Sequence, residues 1–203
     1  MRFLARLVIL ALLSALGHLL LLWLWNPHEA VPPPRQLVIT SPASAEEITL
    51  LFGGDTALTD AATPTLLRNG YEYPLAPTLQ LLREAHLSVV NMEAPVATQD
   101  TPFPLYKRWV YRMEPAGLEA LKWAGVDLVS LANNHLMDHG VPGLRATLDH
   151  LARENMASVG GGLSGAAARR GVVVTVGDTR IGLLSYMEDS FMHSLYMRSF
   201  AWG

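Results

Sequence analysis

Along most of the chain, short continuous apolar runs alternate with stretches in which apolar residues recur every three or four positions. The first pattern fits a buried strand and the second an amphipathic helix. "EEITLLFGGD" reads as a strand ending in Gly53, Gly54 and Asp55, "APTLQLLREAH" as a helix with Pro77 near its start, and "LSVVNMEAP" as a second strand running into a loop. "EPAGLEALKWAG" has helical spacing with Gly125 as its stop, "VDLVSLA" is a third strand, and "VPGLRATLDHLARENM" is the next helix. "VVVTVGDTRIGLLSY" predicts a hairpin turning at Gly177 and Asp178. Strand and helix alternating in this way predict a layered α/β domain.

The amino-terminal pattern is different. From Leu7 to Trp25 nineteen residues carry no formal charge, and Arg2 and Arg6 precede them. That length spans a bilayer, and the arginines favour a cytoplasmic amino terminus. Residues 1–25 are therefore expected to be a single-pass anchor in the cell membrane, with the domain on the extracytoplasmic side. A cleaved signal peptide would end at a small-x-small site close behind the apolar region, whereas the nearest, Ala43 to Ala45, lies well beyond it. Residues 26–45 are rich in proline, alanine and serine and read as a tether, although "LVIT" within them could form a short strand. The domain is expected to occupy residues 46–203.

Without Arg2 and Arg6, thirteen Lys and Arg remain against eighteen Asp and Glu, and no basic tract appears. Nucleic acid is therefore excluded as the main partner. Cysteine is absent, which rules out disulfides and thiolate metal sites. "YKRWVYRMEP" interleaves cations with aromatics; it could contact an anionic polymer or phosphate, but a strand whose long side chains cover an edge is the more ordinary reading.

Chemistry concentrates after the first three domain strands. Asp55 follows "LLFGG", Asn91 and Glu93 follow "LSVV", and Asn133, Asn134 and His135 follow "LVSLA". In a parallel sheet the carboxyl ends lie along one edge, so these residues can converge there. Carboxylate, carboxamide and imidazole donors suit Mg, Mn, Fe or Zn. Taken singly, Asp55 could cap a turn and Glu93 could be a loop carboxylate. "ANNH" is the strongest local signal, because its three polar side chains need partners if buried. Asp138 either accepts the ring proton of His135 or begins the helix beyond Gly140. His139 and His150 are assigned to solvated surfaces. "GGG" at Gly160 to Gly162 lacks the lysine of a P-loop and reads as a flexible connection.

The ordered set "FGGDTALT", "VVNMEAPV", "YRMEPAGLEALKWAGVDLVSLANNHLMDHGVPGLRATLDHL" and "RIGLLSY" resembles the CapA, or PGA-cap, family of bacterial capsule and poly-gamma-glutamate synthesis proteins, from about Ile48 to Tyr186. That family looks like a branch of the calcineurin-like metallophosphoesterases. The resemblance implies a layered sandwich of mixed β-sheets flanked by helices, here expected to be incomplete at its carboxyl end. It implies Asp55, Glu93 and Asn134 as ligands of one or two divalent ions, Glu93 as the bridging carboxylate, and His135 as the group assisting a leaving oxygen. Asn91, Asn133 and Asp138 would support them. Two features depart from the pattern: Thr56 and Ala57 follow Asp55 where an aspartate-x-histidine pair is usual, and His193 matches no later histidine motif.

The function implied is support of capsule or poly-gamma-glutamate synthesis, export or anchoring, with capsule synthesis or export proteins as partners. An active metal-dependent phosphoester hydrolase at the envelope and a truncated, non-catalytic remnant are the alternatives.

Overall fold

The computed structural model describes residues 30–39, 47–97 and 108–188. The predicted anchor, residues 7–25, lies outside them, and among the described residues no helix is long and apolar enough to cross a membrane.

The elements are β1 (Arg35–Ile39), β2 (Leu50–Thr56), α1 (Thr63–Asn69), α2 (Leu79–Glu84), β3 (Leu87–Met92), α3 (Pro115–Ala124), β4 (Leu128–Ser130), α4 (Gly140–Arg153), β5 (Ala157–Val159), α5 (Gly165–Ala168), β6 (Val172–Val176) and β7 (Thr179–Leu183). β2, β3, β4 and β5 form a four-stranded parallel sheet in that order. β1, β6 and β7 form a second sheet, in which β1 runs parallel and β7 antiparallel to β6. The result is the mixed α/β arrangement expected. Residues 35–39 lie in a stretch read as a tether, yet they are an integral strand of the second sheet. They overlap the "LVIT" that the sequence offered as a short strand, and Leu37 and Ile39 turn inward onto the inter-sheet core.

Period-two alternation divides the apolar residues between two cores. Leu87, Val89, Leu128 and Val159 from the first sheet meet Val172, Val174 and Val176 from the second. Val90, Met92, Val129 and Leu131 point the other way, onto Leu118 and Leu121 of α3 and Leu144 and Leu151 of α4. Among the described residues, no strand covers one end of the inner face. Leu50 and Phe52 pair in register with Leu87 and Val89, yet Phe52 is 61% exposed while Leu87 is fully buried.

Local chemistry sets the boundaries. Pro115 opens α3 at a position where no backbone N–H is needed, and Gly125 ends it in the left-handed region (φ 99°), donating to the Leu121 and Lys122 carbonyls. β6 and β7 turn at Gly177 and Asp178 as predicted. α1 and the three-residue β5 were not anticipated; both are too short to show a period. "YKRWVYRMEP" is not a strand where it is described: residues 108–112 have no regular structure, and Met113 makes an isolated bridge to Val96.

Candidate functional site

The site is built at the carboxyl ends of β2, β3 and β4. Between Phe52 and Asp55 the register of β2 on β3 shifts by one residue at Gly53 and Gly54. Without this bulge Asp55 would stand opposite Met92; with it, Asp55 stands opposite Asn91. A Cβ at Gly53 would come within 3.0 Å of a Val90 methyl, so the bulge favours glycine there.

A chain of side-chain bonds then crosses the sheet. Asn91 Nδ2 donates to Asp55 Oδ1 at 2.7 Å, and Asn133 Nδ2 donates to Asn91 Oδ1 at 3.1 Å and to the Met92 carbonyl at 2.9 Å. Asn133 Oδ1 accepts the backbone N–H groups of His135 (3.0 Å) and Leu136 (2.9 Å). One buried carboxamide thus ties β3 to the turn after β4 and sets the conformation of that turn. Glu93 is anchored by its own N–H to the Thr56 carbonyl at 3.1 Å.

His135 is the buried centre of the turn. Its Nδ1 lies 2.7 Å from Asp138 Oδ2, and the same oxygen accepts the Tyr111 N–H at 2.6 Å. An ionised Asp138 accepts in both bonds, which places a proton on Nδ1. Nε2 faces Glu93, with Oε1 at 4.0 Å. The Tyr111 ring stacks on the imidazole, with centroids 4.0 Å apart and planes 14° apart. Such a pair can hold an imidazole in one orientation for proton transfer at Nε2.

Of the residues singled out from the sequence, Asp55, Asn91 and Asn133 form one bonded chain, and Glu93, His135 and Asp138 form a second cluster around the imidazole. Asn133 also bonds the His135 backbone and so joins the two. Asn134 is exposed, and its neighbour Asn133 is the buried hub instead. α4 starts at Gly140 with His139 as its N-cap, whose side chain makes no capping bond, and Asp138 bonds the His135 ring. His139 is buried, not on a solvated surface, because the turn packs down into the core ahead of α4. Tyr111 was missed as a site residue; the only sequence signal was an aromatic ring within a cationic stretch.

Among the described residues no group of three or more His, Asp or Glu is arranged to hold a common metal ion. Asp55 Oδ1 is engaged by an amide N–H and Glu93 leans toward an imidazole.

The family model for "Bacterial capsule synthesis protein PGA_cap" matches residues 49–200. A probable polyglutamine synthesis accessory protein of Mycobacterium tuberculosis (strain ATCC 25618 / H37Rv) is 37% identical over 112 residues, covering 54% of this chain and 29% of that protein. The PGA biosynthesis protein CapA of Bacillus subtilis (strain 168) is 32% identical over 80 residues, covering 39% of this chain and 21% of that protein. The matched regions thus span less than a third of these relatives' length. Since the match takes in the strands and turns that carry Asp55, Glu93 and His135, the chain belongs to the PGA_cap family of bacterial capsule synthesis proteins.

Proposed function

We propose that the protein acts as an accessory to the synthesis, export or anchoring of a capsule polymer of the poly-gamma-glutamate type. It would be held at the cell membrane by residues 7–25, with the domain outside the cytoplasm and capsule synthesis or export proteins as its partners. The observation that carries the reading is the linked side-chain network from Asp55 through Asn91 and Asn133 to His135, in a chain of this family. Such a network positions an imidazole and two carboxylates at the open edge of a parallel sheet, where α/β proteins bind their ligands.

The described residues support proton transfer at His135 Nε2 and hydrogen bonding to a ligand along the edge. Divalent ions held by Asp55, Glu93 and Asn134 are a separate proposal, and no step of the present reading passes through them.

The test is complementation in cells that make the polymer and lack their own copy, with wild type, Asp55→Ala and His135→Ala at matched expression. Loss of polymer with both variants supports the reading. Full polymer yield with both would leave the edge without a role in production. Elemental analysis of the purified wild type and Asp55→Ala addresses the ions independently.

A further inference from the structure

A second polar feature lies apart from the β2–β3–β4 edge, where α4, the loop after β5, and the starts of β1 and β6 meet. They enclose a half-open cavity of about 370 Å³. Its walls are mainly aliphatic, from Leu148 and Leu151 of α4, Met156 and Leu163, and its charged side is Arg35 with Arg170.

Among the described residues the two arginines have little to neutralise them. Arg35 donates one Nη2 hydrogen to the Ser158 carbonyl, and its buried Nε has no partner among the described residues. Arg170 donates from Nε to the Pro33 carbonyl at 2.7 Å. Neither forms an ion pair with a carboxylate among the described residues. Burial first, and then the charge of Arg170, hold the Arg35 guanidinium below its ordinary range. Two like charges brought together at a partly desolvated site favour an anion between them.

We infer that this cavity binds a carboxylate carried on a short aliphatic stem, with Arg35 and Arg170 on the carboxylate and Leu148, Leu151 and Leu163 along the stem. Guanidinium groups match carboxylate geometry through paired N–H donors, and Arg35 has donors beyond the one given to Ser158. The aliphatic walls select a stem-bearing carboxylate over inorganic phosphate, which offers them nothing to bury. A glutamyl side chain has this chemistry, but the site stands on its own residues and does not require the capsule reading.

Titration of glutarate and of inorganic phosphate into the full 203-residue chain tests it, by calorimetry and thermal unfolding at matched ionic strength. Wild type, Arg35→Gln and Arg170→Gln are compared. The expected result is that glutarate binds wild type and raises its Tm, that phosphate binds more weakly, and that either variant loses about tenfold or more in glutarate affinity. Absence of glutarate binding to wild type, or equal binding by the variants, overturns the site. Phosphate binding as tightly as glutarate overturns the choice of a stem-bearing carboxylate. If Arg35→Gln fails to fold, Arg170→Gln decides, since its side chain bonds only the Pro33 carbonyl among the described residues.

Discussion

Asp138 Oδ2 stands 2.7 Å from His135 Nδ1 and 2.6 Å from the Tyr111 N–H, so one carboxylate oxygen orients the imidazole and fixes the segment whose ring stacks on it. Asp138 is 1% exposed, and water cannot replace it. Asp138→Ala should destabilise the chain by about 1–3 kcal/mol by leaving buried donors unpaired. Urea unfolding measures the cost. Imidazole nitrogen chemical shifts should show the Nδ1–H tautomer of His135 losing population; an unchanged tautomer would mean that another group sets it.

Asn133 and Asn134 are adjacent but differ in role. Asn133 serves two backbone N–H groups and two acceptors, so Asn133→Ala is expected to cost about 1–3 kcal/mol in urea unfolding. Asn134 is exposed, and Asn134→Ala should cost less than about 1 kcal/mol. If Asn134 serves the proposed activity, the same substitution should lower polymer yield in the complementation assay without lowering Tm.

Gly160 has φ +84°, and a Cβ there would lie 2.8 Å from both the Ala132 and Ser185 Cβ atoms. Close by, the Ser130 and Ser185 hydroxyls meet at 2.7 Å and link the end of β4 to the segment after β7. Gly160→Ala combines backbone strain with a clash and should destabilise by about 1–3 kcal/mol in thermal or urea unfolding. The glycine run read as a flexible connection is here a close-packed contact between the two sheets' chain ends.

Asp127 accepts the Ser88 N–H at 2.8 Å, but burial outweighs that bond and raises its carboxyl above the ordinary 3.8. Folding therefore favours its protonated form. The stability it contributes is full below pH 3.8 and is lost as pH rises through the raised value. Asp127→Asn keeps an oxygen for Ser88 and carries no charge. It should match or exceed wild-type stability at pH 7, by less than about 1 kcal/mol given the partial exposure of the group, and lose that advantage in acid. Unfolding curves at pH 3.5 and 7 read the difference.

Phe52 and Leu128 test how far the inter-sheet core extends. Leu128→Ala should cost about 2–5 kcal/mol, since its side chain is fully buried between the sheets. Phe52→Thr should change stability by no more than about 0.5 kcal/mol, because the ring has no strand above it among the described residues. A large loss at Phe52 would show that the open end of the sandwich is covered in solution.

What the sequence determined by itself was local. Continuous apolar runs marked β3 and β4, which are buried on both faces and so show no polar alternation, and apolar runs bounded by glycine marked β2 and the β6–β7 hairpin. Helical spacing closed by Gly125 marked α3, because only a left-handed residue ends a helix that way without strain. The ordered motifs around Asp55, Glu93 and His135 pointed to the family, and a strand-end rule named the edge where they stand. What tertiary structure decided was which partner each polar group takes. The bulge at Gly53 and Gly54 put Asp55 opposite Asn91, and Asn133, not Asn134, turned inward. Tyr111 reached His135 from 24 positions away along the chain, and Arg35, read as tether, met Arg170 across the β1–β6 pairing. These outcomes depend on register and on contacts between distant segments, which a one-dimensional pattern of apolar and polar positions does not encode.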